Sequence, residues 1–382
     1  MNKIIIYYGP KTEFDKLLAK NSVNDENQMT LSKAVRLIDE SNRKLVLTQQ
    51  TQQTPENELL DVENLVSFSD EYASIKMHAI LNFDNLFSNF TIDNVFLHNP
   101  PQLIANKMEK AFHDITQIEK YQYKQIDENK IREINSNFDA KIIGQPTAKR
   151  SLLRALVHLT NGKQKKPAVI LFYGPSGVGK TETAKYLAEV MGGKLFRKQF
   201  SMFQNNDYVT YLFGGEHSEN SFAKEVLERE ANVLLLDEFD KVNPIFHSAF
   251  YQLFDEGIFE DNNYSIDAGG AIIICTSNYL SEEEIKNKLG EPIYSRFETC
   301  IKYDELSPES VKKIIKICIE REWNNLSPED KYLIDKETIE KGFNKHSSKI
   351  TNARMVDNTV KQVISDKILD RIISQNHGLT ED

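Results

Sequence analysis

A glycine-rich segment that ends in lysine and threonine is the part of this sequence most suited to chemistry. Gly174-Pro175-Ser176-Gly177-Val178-Gly179-Lys180-Thr181 fits the pattern G-x-x-x-x-G-K-[ST] without a mismatch. Glycines let the backbone turn so that its N–H groups point at phosphate oxygens, and a helix that begins there adds positive potential. Lys180 can then reach the β- and γ-phosphates, and the Thr181 hydroxyl can bind Mg²⁺. The segment predicts a site for a nucleotide with Mg²⁺.

Two carboxylates at the end of a short apolar run supply a metal ligand and a base. Residues 232–236 read Asn-Val-Leu-Leu-Leu, which is typical of a central parallel strand, and Asp237 and Glu238 follow. Asp237 is predicted to hold Mg²⁺ through water, and Glu238 to polarise the attacking water as a general base. A solvated acidic strand end is the alternative interpretation. The phosphate-binding pattern upstream favours the catalytic one.

The elements around these residues predict how they are positioned. Residues 168–173 form an apolar run before the glycine loop, and residues 182–191 carry apolar side chains at helical spacing after it. A third apolar run, residues 271–275, ends in Thr276-Ser277-Asn278. Strands that alternate with helices predict an α/β domain in which the three polar strand ends meet at one edge of a parallel sheet.

These motifs, in this order, resemble the AAA+ superfamily of P-loop ATPases, and within it the Clp-type unfoldases and disaggregases. The resemblance covers residues 138–382 and includes a helix that runs into an Asp-x-Gly turn at residues 246–257. It implies a three-layer αβα ATPase domain over residues 138–301 and a helical small domain over residues 302–382. It also implies ATP and Mg²⁺ as cofactors, and a homo-oligomer such as a hexameric ring.

The resemblance also implies roles for residues outside the two main motifs. Ile142 and Ile143 would flank the adenine, and Asn278 would help to place the attacking water. Arg296 stands where the family carries its arginine finger and would act on the nucleotide of a neighbouring subunit, because a guanidinium stabilises charge on the γ-phosphate. Arg354 would contact phosphate from the small domain, although Asn352 replaces the family's usual glycine two residues earlier. Ordinary surface arginines are the alternative for both.

The N-terminal third of the chain carries a second α/β pattern. Short strands are predicted at residues 3–8, 44–48, 64–67 and 94–98, helices at 31–38 and 101–112, and a polar loop at 49–58. These elements predict an α/β domain with a parallel sheet over residues 1–125, followed by a helical linker at 126–137. His98 lies at a strand end where such folds bind ligands, but a hydrogen-bonded structural histidine is the favoured interpretation. No catalytic constellation is found in this region.

Composition limits the classes of partner and compartment. The 382 residues carry a net charge of −10, which argues against a protein built to coat nucleic acid. The three cysteines are too few for a disulfide framework and indicate a reducing cytoplasm. No apolar run reaches the length of a membrane span, and no signal-peptide pattern is present. We therefore expect a cytoplasmic protein with a protein client or partner.

Two working parts of the Clp-type motors are not found in the sequence. Those motors grip polypeptide with an aromatic-apolar-glycine loop that precedes the acidic strand. Here residues 216–221 read Glu-His-Ser-Glu-Asn-Ser, without an aromatic or aliphatic side chain. Tyr208-Val209-Thr210 mimics the grip, but we predict that it belongs to the helix before Leu212. No Ile-Gly-Phe-like tripeptide of the protease-docking members lies between Asn278 and Arg296 either.

Two functions from different classes fit this sequence. The leading hypothesis is an ATP-hydrolysing enzyme that remodels a protein partner or assembly without generic threading through a pore. The alternative is an ATP-dependent oligomeric switch, for instance in a bacterial stress or phage-defence complex, with the N-terminal domain as sensor or effector. A nucleic-acid motor is less favoured because of the acidity. Continuous turnover stimulated by a client would distinguish the remodeller from the switch.

Overall fold

Two all-parallel five-stranded sheets form the framework of the chain. A computed structural model describes residues 1–48, 60–75, 80–81, 83, 90–161, 166–202, 205–216, 218–333, 335–346 and 352–376. The first sheet has the strand order β2-β3-β4-β1-β5. Its strands are β1 (Lys3–Tyr8), β2 (Gln28–Thr30), β3 (Leu60–Ser67), β4 (Phe90–His98) and β5 (Thr116–Lys120).

Helices cover both faces of this N-terminal sheet. They are α1 (Lys11–Lys20), α2 (Leu31–Thr48) and α3 (Gln102–Ala111). Successive side chains of a strand point to opposite faces, so Ile5 of β1 packs with α1 and Ile6 with α3. A parallel sheet that is covered on both sides explains why β1 is apolar at nearly every position.

The structure changes several predictions for the N-terminal region. The strand predicted at 44–48 is wrong, because helix α2 continues through these residues to Thr48. Strands β2 and β5 have too few apolar residues to be recognised from their pattern. The loop predicted at 49–58 lies outside the described residues. The strands predicted at 3–8, 64–67 and 94–98 and the helix at 101–112 are confirmed within one to four residues of their ends.

The second sheet has the order β12-β6-β11-β8-β7, and its three central strands are buried along their whole length. The strands are β6 (Ala168–Tyr173), β7 (Phe196–Gln199), β8 (Val233–Asp237), β11 (Ile272–Thr276) and β12 (Thr299–Lys302), beside the hairpin β9 (Ile258–Glu260) and β10 (Ser265–Asp267). The flanking helices are α4 (Glu128–Lys141), α5 (Pro146–Val157), α6 (Lys180–Val190), α7 (Asn205–Phe213), α8 (Phe222–Leu227), α9 (Tyr251–Glu256), α10 (Glu282–Leu289) and α11 (Glu291–Tyr294).

Helix α4 does not bridge solvent as a simple linker would. Residues 121–127 form neither helix nor strand, and the helix begins only at Glu128, where the Asp127 side chain accepts a hydrogen bond from the Lys130 N–H. Ile134 and Phe138 of α4 are fully buried in the core of the second sheet. The helix is therefore packed as a part of that core.

The C-terminal region is helical, as expected. Its helices are α12 (Pro308–Asn324), α13 (Pro328–Leu333), α14 (Lys336–His346) and α15 (Ala353–Asn376). Ser307 caps α12 by accepting a hydrogen bond from the Ser310 N–H, and Pro308 occupies the first helical position. Val311 and Val360 are buried in one cluster with the second sheet, so the helices close over one side of it. Among the helices that the structure describes, none is both long and apolar enough to cross a membrane.

Candidate functional site

The glycine loop joins β6 to α6 and has little room for side chains. Gly174, Gly177 and Gly179 have φ angles of 128°, 75° and 112°, in the left-handed region that glycine adopts without strain. A Cβ atom on Gly174 would lie only 2.2 Å from the carbonyl oxygen of Tyr303. The loop therefore requires these glycines, and it brings the first turn of α6, with Lys180 and Thr181, to the carboxyl edge of the sheet.

Lys180 connects the loop with the neighbouring strand β11. Its Nζ donates hydrogen bonds to the carbonyl oxygens of Gly174 at 2.6 Å and Pro175 at 2.8 Å, and to Asn278 Oδ1 at 3.1 Å. The side chain is buried, and this desolvation lowers the pKa of Lys180 to about 8, while the Asp237 carboxylate acts against the shift. A cation that is poorly solvated and held by weak neutral acceptors is ready to bind phosphate oxygens.

Asp237 ends β8, Glu238 follows it, and both contact the hydroxyl of Thr276. Thr276 Oγ1 donates to Asp237 Oδ1 at 2.5 Å and accepts the N–H of Glu238 at 2.8 Å. Glu238 has φ 55°, a left-handed conformation that is strained in a non-glycine residue. Such strain is concentrated at functional sites, and here it occurs where the chain leaves β8 at the sheet edge.

Strand β7 contributes two polar partners that sequence reasoning missed. Arg197 donates to Asp237 Oδ2 through Nε at 2.9 Å and Nη2 at 2.6 Å, and Gln199 Nε2 donates to Glu238 Oε2 at 3.2 Å. Thr276 was also missed as a functional residue, although it belongs to the Thr-Ser-Asn motif. The position of β7 beside β8 is decided by the sheet order, so no local signal identified Arg197 or Gln199.

The carboxyl ends of β6, β11 and β8 are adjacent in the sheet, and this adjacency brings the predicted catalytic groups together. The donor set fits Mg²⁺, because the Thr181 hydroxyl and the buried Asp237 carboxylate are hard oxygen ligands at one edge. ATP with Mg²⁺ would supply the phosphoryl group and the charge neutralisation at this edge.

An apolar cavity lies on the other side of the glycine loop. It has a volume of about 160 Å³ and is lined by Ile142, Ile143, Val178 and Gly179, with residues of α12 and α15 closing it. Gln145, which follows the isoleucines, fixes this wall by donating to the carbonyl oxygens of Val178 at 3.1 Å and Asp304 at 2.9 Å. Apolar walls beside a phosphate-binding loop suit a flat purine ring.

Arg354 lies in the first turn of α15, which docks on the glycine loop. The Ala353 N–H donates to the Gly177 carbonyl oxygen at 2.9 Å, and the positive charge of Arg354 contributes to lowering the pKa of Lys180. Asn352, which replaces the family's glycine, caps the helix by accepting from the Met355 N–H at 2.8 Å. Asparagine at this position therefore holds the arginine in place instead of displacing it.

Arg296 is engaged on the outer side of the large domain. Its Nε donates to Asp255 Oδ2 at 2.9 Å, and its guanidinium lies 3.9 Å from the centre of the Tyr251 ring. These partners belong to α9 rather than to the glycine loop of the same chain. Within the described part of the chain, Arg296 is the one predicted site residue that is not brought to the nucleotide edge.

Three comparisons place these observations among known proteins. A family model described as "AAA domain (Cdc48 subfamily)" matches residues 165–375. The ATP-dependent Clp protease ATP-binding subunit ClpC of Staphylococcus aureus (strain USA300) is 25% identical over 399 residues, which cover 88% of this chain and 48% of the relative. The ClpC of Staphylococcus saprophyticus is 24% identical over 398 residues with the same coverage. The chain thus spans about half the length of the curated relatives it matches.

Solved structures give the same picture of the fold. A structure of S. cerevisiae Hsp104 in complex with casein has a TM-score of 0.55 at 16% identity, and covers 98% of this chain and 89% of its own. A closed-state structure of Hsp104 with ATPγS and casein has a TM-score of 0.54 at 15% identity, with the same coverage. At these identities the likeness concerns the fold alone.

Proposed function

The chain belongs to the AAA domain family (Cdc48 subfamily) as a Clp-type AAA+ ATPase, and from this premise we propose that it remodels a protein partner or assembly. The resemblance found in the motifs is confirmed, as are the α/β fold, ATP hydrolysis as the activity, and ATP and Mg²⁺ as cofactors. The observation on which the proposal rests is the sheet edge where Lys180 Nζ donates to Asn278 Oδ1 and the Thr276 hydroxyl holds both Asp237 and Glu238.

The residues at the sheet edge divide the hydrolysis reaction between them. Lys180 and the N–H groups of the glycine loop bind the phosphates, and Thr181 and Asp237 hold the metal. Glu238 accepts a proton from the attacking water, and Asn278 orients that water. Ile142 and Ile143 bind the base, and Arg354 adds positive charge from the small domain. The contacts of Lys180 and Thr276 support these assignments, because they hold Asn278 and Glu238 at the same sheet edge.

The site needs one group from outside this chain. Arg296 is held by Asp255 and Tyr251 at the surface of the large domain, where it can face the nucleotide of a neighbouring copy. We therefore infer a cytoplasmic homo-oligomer, such as a hexameric ring, with active sites shared between subunits. In this organisation residues 1–125 form the partner-recognising domain, 126–137 the connection, 138–301 the large ATPase domain and 302–382 the small domain.

Generic threading of polypeptide is not part of the proposed function. Tyr208, which could mimic a pore grip, is a part of α7 and is only 3% exposed. Its hydroxyl donates to the Phe200 carbonyl oxygen at 2.6 Å, and its ring stacks on Phe246 at 5.2 Å. A side chain held in this way cannot pack against a passing chain, and the polar residues after Gly215 offer little apolar area. Remodelling would therefore act on a specific folded partner.

The test is ATP-driven unfolding of a stable fluorescent protein that carries an unstructured tail. We expect the chain to hydrolyse ATP while the fluorescence stays constant. Glu238→Gln, which should bind ATP without turning it over, is the matched control for any passive loss of signal. Unfolding by the wild-type chain that disappears in Glu238→Gln would contradict the proposal and restore an ordinary unfoldase.

An ATP-dependent switch is the second candidate, and one observation favours it. The N-terminal sheet is docked on the ATPase domain by direct contacts: the Gln102 N–H donates to the Asn263 carbonyl oxygen at 2.8 Å, and Asn99 Nδ2 donates to Glu228 Oε1 at 3.1 Å. A docked sensor domain could transmit the nucleotide state without continuous turnover. Slow hydrolysis that no client stimulates, together with an ATP-dependent change in assembly size by light scattering, would select the switch over the remodeller.

A further inference from the structure

A second cavity lies between the N-terminal sheet and the ATPase domain, and it shares no lining residue with the cavity beside the glycine loop. Its volume is about 490 Å³, within the range of pockets that bind small molecules. The N-terminal side contributes Tyr8, Asn106, Tyr121 and Tyr123, and the ATPase side contributes Arg229 and Tyr264. Both parts of the chain therefore form its walls.

The cavity is at the place in the N-terminal sheet where an α/β fold binds ligands. Strands β1 and β4 are parallel neighbours, and the chain leaves them towards opposite faces, to α1 after β1 and to α3 after β4. A crevice opens outside the carboxyl ends of two such strands, because their connections diverge. Gly9 and Pro100, which follow β1 and β4, both line the cavity.

Arg229 is a buried cation whose hydrogen bonds, in the described part of the chain, go to neutral acceptors. It is 4% exposed, and its guanidinium donates to three neutral acceptors: the carbonyl oxygens of Val226 at 3.1 Å and Asp267 at 2.7 Å, and Asn232 Oδ1 at 3.4 Å. Among the described residues, the acceptors that its guanidinium reaches are thus an amide oxygen and two carbonyl oxygens, and the Asp267 carboxylate accepts from the Gly269 N–H. Burial lowers the pKa of the Arg229 guanidinium, although Tyr123 and the Asp267 carboxylate act against this shift. A buried charge of this kind is costly, so the wall of this cavity favours an anion.

The remaining walls present aromatic surface. The rings of Tyr121 and Tyr123 are 4.8 Å apart, edge to face, and the Arg229 guanidinium lies 4.1 Å from the centre of the Tyr123 ring. The rim is mixed in charge, because Glu109 and Asp267 oppose Lys120. The arginine in the wall therefore gives the cavity its preference for an anion, and the tyrosines give it a preference for a flat ring.

We propose that this cavity binds a small organic anion that carries a flat ring, with the ring against the tyrosines and the negative group near Arg229. Because both parts of the chain line the cavity, such a ligand would tie the N-terminal sheet to the ATPase domain. The site is separate from the nucleotide edge, so it should be occupied together with ATP.

The experiment uses flavin mononucleotide as a fluorescent probe that combines a flat ring with a phosphate. The full chain is titrated in saturating Mg²⁺ and ATPγS, which fill the nucleotide edge. We expect saturable quenching of the flavin fluorescence, since stacking on tyrosine quenches it. Riboflavin, which lacks the phosphate, should bind at least about tenfold more weakly, because a hydrogen bond to a charged group is lost. Ribose 5-phosphate should compete only weakly, because it lacks the ring.

Two sets of variants locate the probe. Arg229→Gln should weaken binding about tenfold or more. Asn106 is exposed at the cavity, so Asn106→Glu should weaken binding and Asn106→Arg should strengthen it, and neither change disturbs a buried group. Tyr332→Leu alters a tyrosine that is 91% exposed in the small domain, and it should leave binding unchanged.

The proposal would be overturned by any of three results: no saturable quenching, equal binding of riboflavin and the phosphorylated probe, or loss of binding when ATPγS is added. If Arg229→Gln does not fold, the opposite effects of the two Asn106 variants decide the question alone. Equal affinity of both Asn106 variants would place the probe elsewhere and exclude this cavity.

Discussion

The chain contains two parallel sheets whose carboxyl edges are used in different ways. The edge of the second sheet carries the glycine loop, the strained Glu238 and the buried Lys180, and under the proposed function its arginine finger would come from another copy. The edge of the first sheet carries a strained residue too, Asn99 with φ 44°, beside the buried His98. That edge is covered by the ATPase domain of the same chain.

The difference shows what strained polar residues at a strand end can do. At the nucleotide edge Lys180 is held by neutral carbonyl oxygens and Glu238 by the neutral amide of Gln199, so both remain able to bind phosphate and water. Asp237 at this edge is paired with the charged Arg197. At the N-terminal edge the polar side chains form hydrogen bonds within the protein. Asn99 pairs with both the N–H and the carbonyl oxygen of Gly9, and His98 Nε2 lies 2.8 Å from that oxygen. One edge is arranged for reaction and the other for docking.

The largest expected effect tests whether a second copy of the chain supplies an arginine to the nucleotide edge. Arg296→Ala should reduce ATP turnover by about 10³-fold or more while ATP binding is retained, because the guanidinium acts only on the transition state. Asp255→Asn is the matched control, since it breaks the ion pair of Arg296 but keeps the finger. Steady-state hydrolysis is measured over a range of protein concentrations, and wild-type specific activity should rise with concentration. Unchanged turnover in Arg296→Ala would show that ATP hydrolysis does not need Arg296.

The second prediction concerns the base at the same edge. Glu238→Gln should lower turnover by at least about 10²-fold and leave ATP binding intact, because the amide cannot accept the proton of the attacking water. Lys180→Ala should instead abolish binding, since it removes the buried cation that faces the phosphates. Equilibrium binding of a fluorescent ATP analogue separates the two variants. Full hydrolysis by Glu238→Gln would refute the assigned role.

Thr276→Val tests the hydroxyl that contacts both Asp237 and Glu238, because valine has the same side-chain shape but no hydroxyl. The loss leaves a buried carboxylate oxygen without its donor, so the free energy of unfolding should fall by about 1–3 kcal/mol. Turnover should fall by about tenfold, since a positioned base contributes through its geometry. Thr276→Ser keeps the hydroxyl and should retain both properties. Urea unfolding and steady-state hydrolysis are the measurements. A valine variant with the stability and turnover of the wild type would show that the Thr276 hydroxyl does not position the two carboxylates.

The smallest expected effect is at the docked edge. Asn99→Ala loses three hydrogen bonds and keeps a left-handed φ that alanine disfavours, so the free energy of unfolding should fall by about 2 kcal/mol. Asn99→Gly loses the same bonds without the backbone strain and should recover about 1 kcal/mol of that loss. Hydrolysis per folded molecule should be unchanged in both variants. A fall in turnover that exceeds the loss of folded protein would show that this edge also takes part in catalysis.

The residues that the sequence predicted for the nucleotide edge lie together in the structure, and they could be found because their determinants are local. A tight phosphate-binding turn needs glycines at fixed spacing, and buried strands are recognisable as short apolar runs, so the loop, Asp237, Glu238 and Asn278 were found from their own neighbourhoods. The N-terminal region was harder. Strands β2 and β5 lie at the edges of their sheet and carry few buried residues, and residues 44–48 adopt a helix despite their apolar content.

The sequence by itself determined the family, the fold class, the cofactors and the candidate site residues that lie in contiguous motifs. Only the tertiary structure decided which side chains from distant segments meet: Arg197 with Asp237, Gln199 with Glu238, and Arg229 with the tyrosines of the N-terminal part. It also decided that Tyr208 is buried and that Asn99 docks on Glu228. The physical reason is that strand order and domain docking are set by burial of whole surfaces, which leaves no signature in the spacing of a few residues.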